Sequence, residues 1–310
     1  MNSKTGFALY NRIVNRRNFL ALPLAAYAQN SDPNRIILDV FRVNFLYTVS
    51  DKKGRFVINL NREDFEVYEE KKAQNILEFI AESNLPLRLG ILIDSSNSVR
   101  DRFKFQQEAA VEFITSVIRP KEDRAIVVSF DNQVELRADL TGDVEKLSQT
   151  VRDLRAGGGT ALFDAVYYAC KDKLMQDQPL FKFRRAMVIL SDGDDTQSVM
   201  TREQAIEMAL KADVVIYTIS TNITKIESEG DRILKRLSER TGGMTFFPFK
   251  ASDLAQSFEN IANELRSQYN LLYRPEPIKT DGQWHPVQIR VKGRKDLLVR
   301  ARPGYYAPKS

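Results

Sequence analysis

The chain has 310 residues, enough for two domains and a sizeable core. Hydrophobic residues make up 43% and charged residues 28%, which excludes a mainly disordered chain, and no run approaches the ~20 apolar residues of a spanning helix. One cysteine and one histidine, Cys170 and His285, exclude an intrachain disulfide and any zinc site built from several Cys and His ligands, so a metal would be held mainly by oxygen.

Residues 1–28 carry Lys4, Arg12, Arg16 and Arg17 and no acid. Without them the net charge falls from +5 to +1, which removes the case for a nucleic-acid partner. Arg16-Arg17-Asn18-Phe19-Leu20 leads into an apolar run that ends Ala26-Tyr27-Ala28, a small-x-small pattern before a cut. Residues 1–28 therefore read as a signal peptide, twin-arginine-like, for a protein exported to the periplasm or secreted. No stable membrane insertion is expected after its removal.

Residues 33–84 read as a β segment. Phe41, Val43, Phe45, Tyr47 and Val49 alternate with polar residues, Asp64–Glu69 alternates again, and Asn75–Ala81 reads as a further strand. The charge run Glu69–Lys72 reads as a solvated turn.

Residues 85–266 alternate strand and helix. Leu87–Ile93, Ala125–Phe130, Ala186–Leu190, Val214–Ser220 and Met244–Phe247 read as strands. Arg102–Ile118, Asp143–Leu154, Ala161–Leu174, Arg202–Lys211, Arg232–Arg240 and Asp253–Arg266 read as helices. This order predicts an α/β, doubly wound and mostly parallel sheet.

Residues 267–310 return to β. Val287, Ile289 and Val291 alternate with polar residues, Gly293–Asp296 turns, and Leu298–Arg302 runs back as a basic hairpin, read as a solvated sheet face with a site for an anionic partner as the alternative. Each β flank is small for a core of its own, so the economical arrangement packs residues 267–310 with 33–84 as a smaller β-domain built from both ends of the chain.

Two apolar strands end in acidic, hydroxyl-rich loops: Asp94-Ser95-Ser96-Asn97-Ser98 and Ser191-Asp192-Gly193-Asp194-Asp195. Between them, Gly157-Gly158-Gly159-Thr160 opens a helix. In open α/β sheets, ligands bind beyond the carboxyl ends of the strands. Ser96 and Ser98, spaced by two, can face one point, and glycines allow close backbone approach. Three hydroxyls and two carboxylates make an oxygen-rich site for a small divalent cation: Mg²⁺, with Mn²⁺ and Ca²⁺ also compatible. Asp194 and Asp195 are expected to cap the following helix or shape the rim.

Asp94-x-Ser96-x-Ser98, Thr160 after glycines, and Asp192-Gly193 together resemble the metal-ion-dependent adhesion site of von Willebrand factor type A domains, over about residues 86–265. Leu60–Glu69 and Arg302–Ala307 resemble the flanks of exported bacterial proteins related to that family. The resemblance implies metal ligation by Ser96 and Ser98 through hydroxyls, and by Thr160, Asp94 and Asp192 directly or through water. It implies a non-catalytic module whose metal accepts an acidic residue of a partner protein, and a final helix, Asp253–Arg266, that can shift.

Two other readings stand beside it. Asp192-Gly193-Asp194-Asp195-Thr196 also matches the Asp-x-Asp-x-Thr loop of haloacid-dehalogenase-type phosphatases, which would make the chain a Mg²⁺-dependent phosphohydrolase with Asp192 as nucleophile. That reading leaves Asp94, Ser96, Ser98 and Thr160 without a role. The third is a scaffold whose metal is structural only. An EF-hand is excluded by Gln197 where glycine is required, and a phosphate loop by the missing lysine. Cys170 reads as a buried small hydrophobe, His285 as turn packing, and Phe246-Phe247-Pro248-Phe249 as core or inter-domain contact.

Overall fold

A computed structural model describes residues 42–309 except 82–84, 179–181, 223 and 225, so the leader over residues 1–28 lies outside the described residues. In chain order the elements are β1 (Val43–Asp51), β2 (Phe65–Glu69), β3 (Lys72–Gln74), β4 (Ile76–Ile80), β5 (Leu87–Asp94), α1 (Phe103–Val117), β6 (Arg124–Phe130), β7 (Val134–Thr141), α2 (Val144–Arg152) and α3 (Leu162–Tyr168). They continue as β8 (Arg184–Ser191), α4 (Arg202–Lys211), β9 (Val214–Ser220), α5 (Glu229–Thr241), β10 (Thr245–Phe246), α6 (Ala251–Arg266), β11 (Tyr269–Tyr273), β12 (Trp284–Val291), β13 (Leu297–Ala301) and β14 (Gly304–Tyr306). Helix α3 runs on into a π-helical turn, Ala169–Leu174.

The central sheet has the order β10-β9-β8-β5-β6-β7 and is parallel except for β7, which runs antiparallel to β6. Its strands are apolar on both faces because helices cover both. Leu89, Ile91 and Ile93 of β5 pack with Phe113 of α1 and Phe258 of α6, whose rings stack at 4.8 Å. On the other face Leu92, Val128 and Ile189 meet Leu162, Val166 and Leu234 from α3 and α5. The fold is therefore a doubly wound α/β sheet. Strand β7 is absent from the predicted elements. Its signal is the alternation Val134, Leu136, Ala138, Leu140, and only Ala138 of these is fully buried, as befits an edge strand.

The flanking strands form two antiparallel sheets, β13-β1-β11-β4 and β14-β12-β2-β3. Both contribute to one core: Phe45, Tyr47 and Tyr269 from the first, Phe65, Val67 and Ile289 from the second. The Phe65 ring meets Tyr47 edge-on at 5.2 Å and Tyr269 at 5.3 Å. β1 lies between β11 and β13, so the start of the described chain pairs with two strands of its end.

Three expectations are corrected here. The strands on either side of Gly293–Asp296 are not a hairpin. β12 pairs with β2 and β14, whereas β13 crosses to the other sheet and pairs with β1. Nor are the basic residues of this stretch all solvated. Arg302 reaches Asp213 at 3.0 Å, and Arg300 reaches Glu264 of α6 at 2.5 Å, so both cations meet buried or half-buried acids of the α/β part. Finally, Glu69 is 4% exposed, accepting from the Tyr273 hydroxyl at 2.7 Å and the Tyr305 hydroxyl at 3.2 Å, so only the rest of the Glu69–Lys72 run faces water.

Cys170 is fully buried, and burial raises its thiol pKa well above the ordinary value, as for an inert core residue. Phe246 packs against the α/β core, while Phe249 stays 45% exposed.

Candidate functional site

β5 is the first strand of the central sheet. The chain then adds β6 on one side and, after β7, returns to add β8 on the other. The carboxyl ends of β5 and β8 thus flank the point where the winding reverses, where an open α/β sheet leaves a crevice. Asp94 is the last residue of β5, and Asp192 follows Ser191, the last of β8.

Asp94 is fully buried. One of its carboxylate oxygens accepts the Ser96 backbone N–H at 2.9 Å, and the other accepts the Ser191 hydroxyl at 2.6 Å. The first bond folds the loop back over the strand end. It sets the Ser96 and Ser98 hydroxyl oxygens 2.9 Å apart, with Ser96 buried and Ser98 exposed. Burial pushes the Asp94 pKa up to about 6, against the hydrogen bonds of Ser191 and Ser96, and the Asp192 charge adds to the rise.

The glycine turn is tied to this loop by main chain. Gly157 N–H donates to Ser95 O at 2.6 Å, and Asn97 N–H donates to Gly158 O at 3.1 Å. Gly158 sits at φ +87°, and a Cβ there would meet the Asn132 side chain at 2.9 Å. Thr160 is buried at the same end of the sheet. Its backbone bonds run to the loop after β8: its N–H donates to Thr196 Oγ1 at 3.1 Å, and its carbonyl accepts from Thr196 and Gln197.

Asp192 is half-buried, and one of its carboxylate oxygens accepts the Asp194 N–H at 3.2 Å. The turn is held by Gly193, φ +84°, where an added Cβ would lie 2.1 Å from the Gly230 carbonyl oxygen. The loop after β8 therefore rests directly on the first turn of α5, and both contact points must be glycine. A cleft of about 260 Å³ opens beside it, lined by Ser98, Arg102, Asp192, Asp194 and Asn222 among others.

The structure thus brings Asp94, Ser96 and Ser98 into one hydrogen-bonded loop. Asp192 joins it through Ser191, and Thr160 through the glycine turn. Of the two neighbouring aspartates, Asp194 shapes the rim and Asp195 has a role that differs from expectation. Asp195 caps α3, not the following helix: it accepts the Phe163 N–H at 2.9 Å and the Ser198 hydroxyl at 2.6 Å. The following helix, α4, is capped instead by Thr201 with Gln204. Asp194 is exposed at the rim of the cleft. Ser191, the buried partner of Asp94, was missed by sequence reasoning; a hydroxyl ending an apolar strand beside an aspartate is the signal that points to it.

The donor set fits a hard divalent cation. All five side chains offer oxygen, and a buried carboxylate surrounded by hydroxyls gains from a positive charge. Among the described residues, no group of three or more His, Cys, Asp or Glu could hold a metal, so binding here would depend on the serine and threonine oxygens.

A mostly parallel, doubly wound sheet carrying these loops at its switch point has the architecture of the von Willebrand factor type A domain. Residues 89–194 match the family model described as von Willebrand factor type A domain. Among solved structures, a von Willebrand factor type A protein from Catenulispora acidiphila is 15% identical with a TM-score of 0.52, over 79% of this chain and 73% of that one. Proximal thread matrix protein 1 from the mussel byssus, with a zinc-occupied MIDAS motif, is 13% identical with a TM-score of 0.51, over 64% of this chain and 50% of that one. The chain thus spans about half of the mussel protein, and likenesses at this identity show the fold alone. No curated protein matches the sequence.

Proposed function

We propose that Asp94, Ser96, Ser98, Thr160 and Asp192 hold a divalent cation, Mg²⁺ with Mn²⁺ or Ca²⁺ as alternatives, and that the protein binds an acidic residue of a partner protein there. The observation that carries this reading is the Ser96–Ser98 hydroxyl pair, 2.9 Å apart above a carboxylate with no solvent exposure. When bound, the ion supplies a Lewis-acidic position for an external carboxylate. Asp94 anchors the loop from below and offsets the ion's charge, and the two serines present hydroxyl oxygens upward. Thr160 and Asp192 border the same end of the sheet from the neighbouring loops.

Type A domains are generally non-catalytic interaction modules, and the loop after β8 supports that role in this chain. In a phosphohydrolase using Asp192, the residues that follow it would have to serve the reaction. Here the motif's threonine is already engaged, since the Thr196 hydroxyl accepts the Thr160 N–H at 3.1 Å. The paired arginines and the Ala26-Tyr27-Ala28 pattern support export, which would place the partner in the periplasm or outside the cell.

The test is calorimetric titration of Mg²⁺, Mn²⁺ and Ca²⁺ into chelator-stripped protein, beside the Ser96→Ala/Ser98→Ala double variant. Saturable one-site binding that the double variant loses supports the reading, as does retention on an immobilised glutamate-rich peptide that a chelator reverses. Absence of saturable binding by the unaltered protein overturns it.

A further inference from the structure

The opposite end of the central sheet holds a second feature that the metal site does not use. Leu87 and Arg184 are the first residues of β5 and β8, whereas Asp94 and Ser191 are the last. At about 3.3 Å per residue, the two ends lie roughly 23 Å apart. At this amino end, beside the last turns of α1 and α6, lies a cavity of about 250 Å³ lined by Leu87, Arg119, Asp123, Arg184, Leu265 and Arg266, among others.

Three guanidinium groups and one carboxylate therefore share one small space. Arg184 is only 6% exposed. Its Nε donates to the Leu85 carbonyl at 2.9 Å, and its Nη1 donates to the Leu265 carbonyl at the end of α6. Those carbonyls satisfy donors but carry no formal charge. Among the described residues, no carboxylate lies within ion-pair distance of Arg184 or of Arg266.

The acid that lines the cavity is already engaged. Asp123 accepts from Arg119 Nε at 2.9 Å, Arg119 Nη2 at 3.0 Å and the Leu87 N–H at 2.7 Å. Glu122, which is not among the lining residues, pairs with Arg119 at 2.7 Å. Arg119 thus pairs with both acids, while Arg184 and Arg266 have no ion-pair partner among the described residues, and the Asp123 charge acts on Arg184 only at longer range. A buried charge without a partner is costly, which applies to Arg184. Arg266 is exposed and donates from Nη2 to the Ser116 carbonyl at 2.8 Å, so an anion in the cavity would relieve Arg184 and use the remaining donors of Arg266.

The geometry points to an anion site in this cavity that takes a small tetrahedral oxyanion of the phosphate or sulfate class, held by Arg184 and Arg266 with Arg119 at its edge. With Arg184 Nε and Nη1 and Arg266 Nη2 on main-chain carbonyls, Arg184 Nη2 and Arg266 Nε and Nη1 are left to donate to separate oxygens of such an ion. The volume falls below the roughly 300–1,000 Å³ of pockets for drug-sized ligands, which selects a bare ion with its waters over a nucleotide. An ion there would join the last turn of α6 to the starts of β5 and β8. The site is independent of the metal reading, which concerns the other end of the sheet.

The experiment titrates inorganic phosphate, and separately sulfate, into the full chain by calorimetry, with ionic strength held constant by chloride. Arg184→Gln, Arg266→Gln and Ser96→Ala/Ser98→Ala are run beside the unaltered protein. The expected result is saturable one-site binding, weakened about tenfold or more in each arginine variant and unchanged in the serine variant. Arg266 is exposed, so Arg266→Gln decides the matter if Arg184→Gln fails to fold. No saturable binding up to about 10 mM, or unchanged affinity in Arg266→Gln, overturns the proposal and leaves the arginines as caps of helix carbonyls.

Discussion

The Ser191 hydroxyl donates to the Asp94 carboxylate at 2.6 Å, joining the last residues of two adjacent parallel strands. Both residues are fully buried, and the same Ser191 oxygen accepts the Gly193 N–H at 3.0 Å. One side chain thus sets the height of the Asp94 carboxylate and the path of the Asp192 loop. Removing it leaves a buried acceptor and a buried donor without partners. Ser191→Ala is expected to cost about 1–3 kcal/mol in urea denaturation and to weaken Mg²⁺ binding, although Ser191 is not one of the proposed ligands.

Gly193 offers a steric test of the same loop. An alanine there must adopt φ +84° and place its Cβ within 2.1 Å of the Gly230 carbonyl. Either α5 or the Asp192 loop has to move. Gly193→Ala should lower stability by about 1–3 kcal/mol and reduce divalent-cation affinity. Gly157→Ala, where nothing lies within 4 Å of the added Cβ, should do neither.

The contact between α6 and β13 predicts a coupled pair. Glu264 is 2% exposed and accepts from Arg300 at 2.5 Å and from the Tyr217 hydroxyl at 3.0 Å. Burial raises its pKa, and Arg300 opposes that rise. Arg300→Met leaves this carboxylate without its counter-charge and should cost about 3 kcal/mol. Combining it with Glu264→Gln should recover part of the loss, and a double-mutant cycle by chemical denaturation reads a coupling of about 1–3 kcal/mol.

His285 predicts a pH dependence. It is 3% exposed in β12, with Nδ1 2.9 Å from Glu70 and Nε2 3.0 Å from Asp281, and Glu69 lies at 3.9 Å. Only the doubly protonated ring can donate to both near carboxylates. Burial opposes that charge, but the hydrogen bonds to Asp281 and Glu70 outweigh it and raise the His285 pKa above 6.5. A folded pKa above the unfolded one means that the stabilisation is complete below pH 6.5 and is lost as pH rises through the folded value. Melting temperature should fall across that window, and His285→Gln should flatten the profile.

His285 also shows the limit of local reading. Asp281-Gly282 ahead of it suggests a turn, yet the residue is the second of a paired strand, and its near acids come from four residues before it and from Glu70, just past the end of β2. Glu70 is more than two hundred positions away, so no local pattern could announce it.

The alternation of strand and helix, the bounds of α4 and β9, and the Asp94-x-Ser96-x-Ser98 spacing were all legible in the sequence, because two- and 3.6-residue periods and loop composition are local properties of the chain. The tertiary structure alone decided that β13 leaves β12 to pair with β1, that Ser191 supports Asp94, and that Arg300 meets Glu264. It also decided that Arg184, Arg266 and Arg119 converge at one cavity. Those are meetings between distant segments. They depend on which edges and faces remain open once each element has formed, and that follows from packing rather than from local pattern.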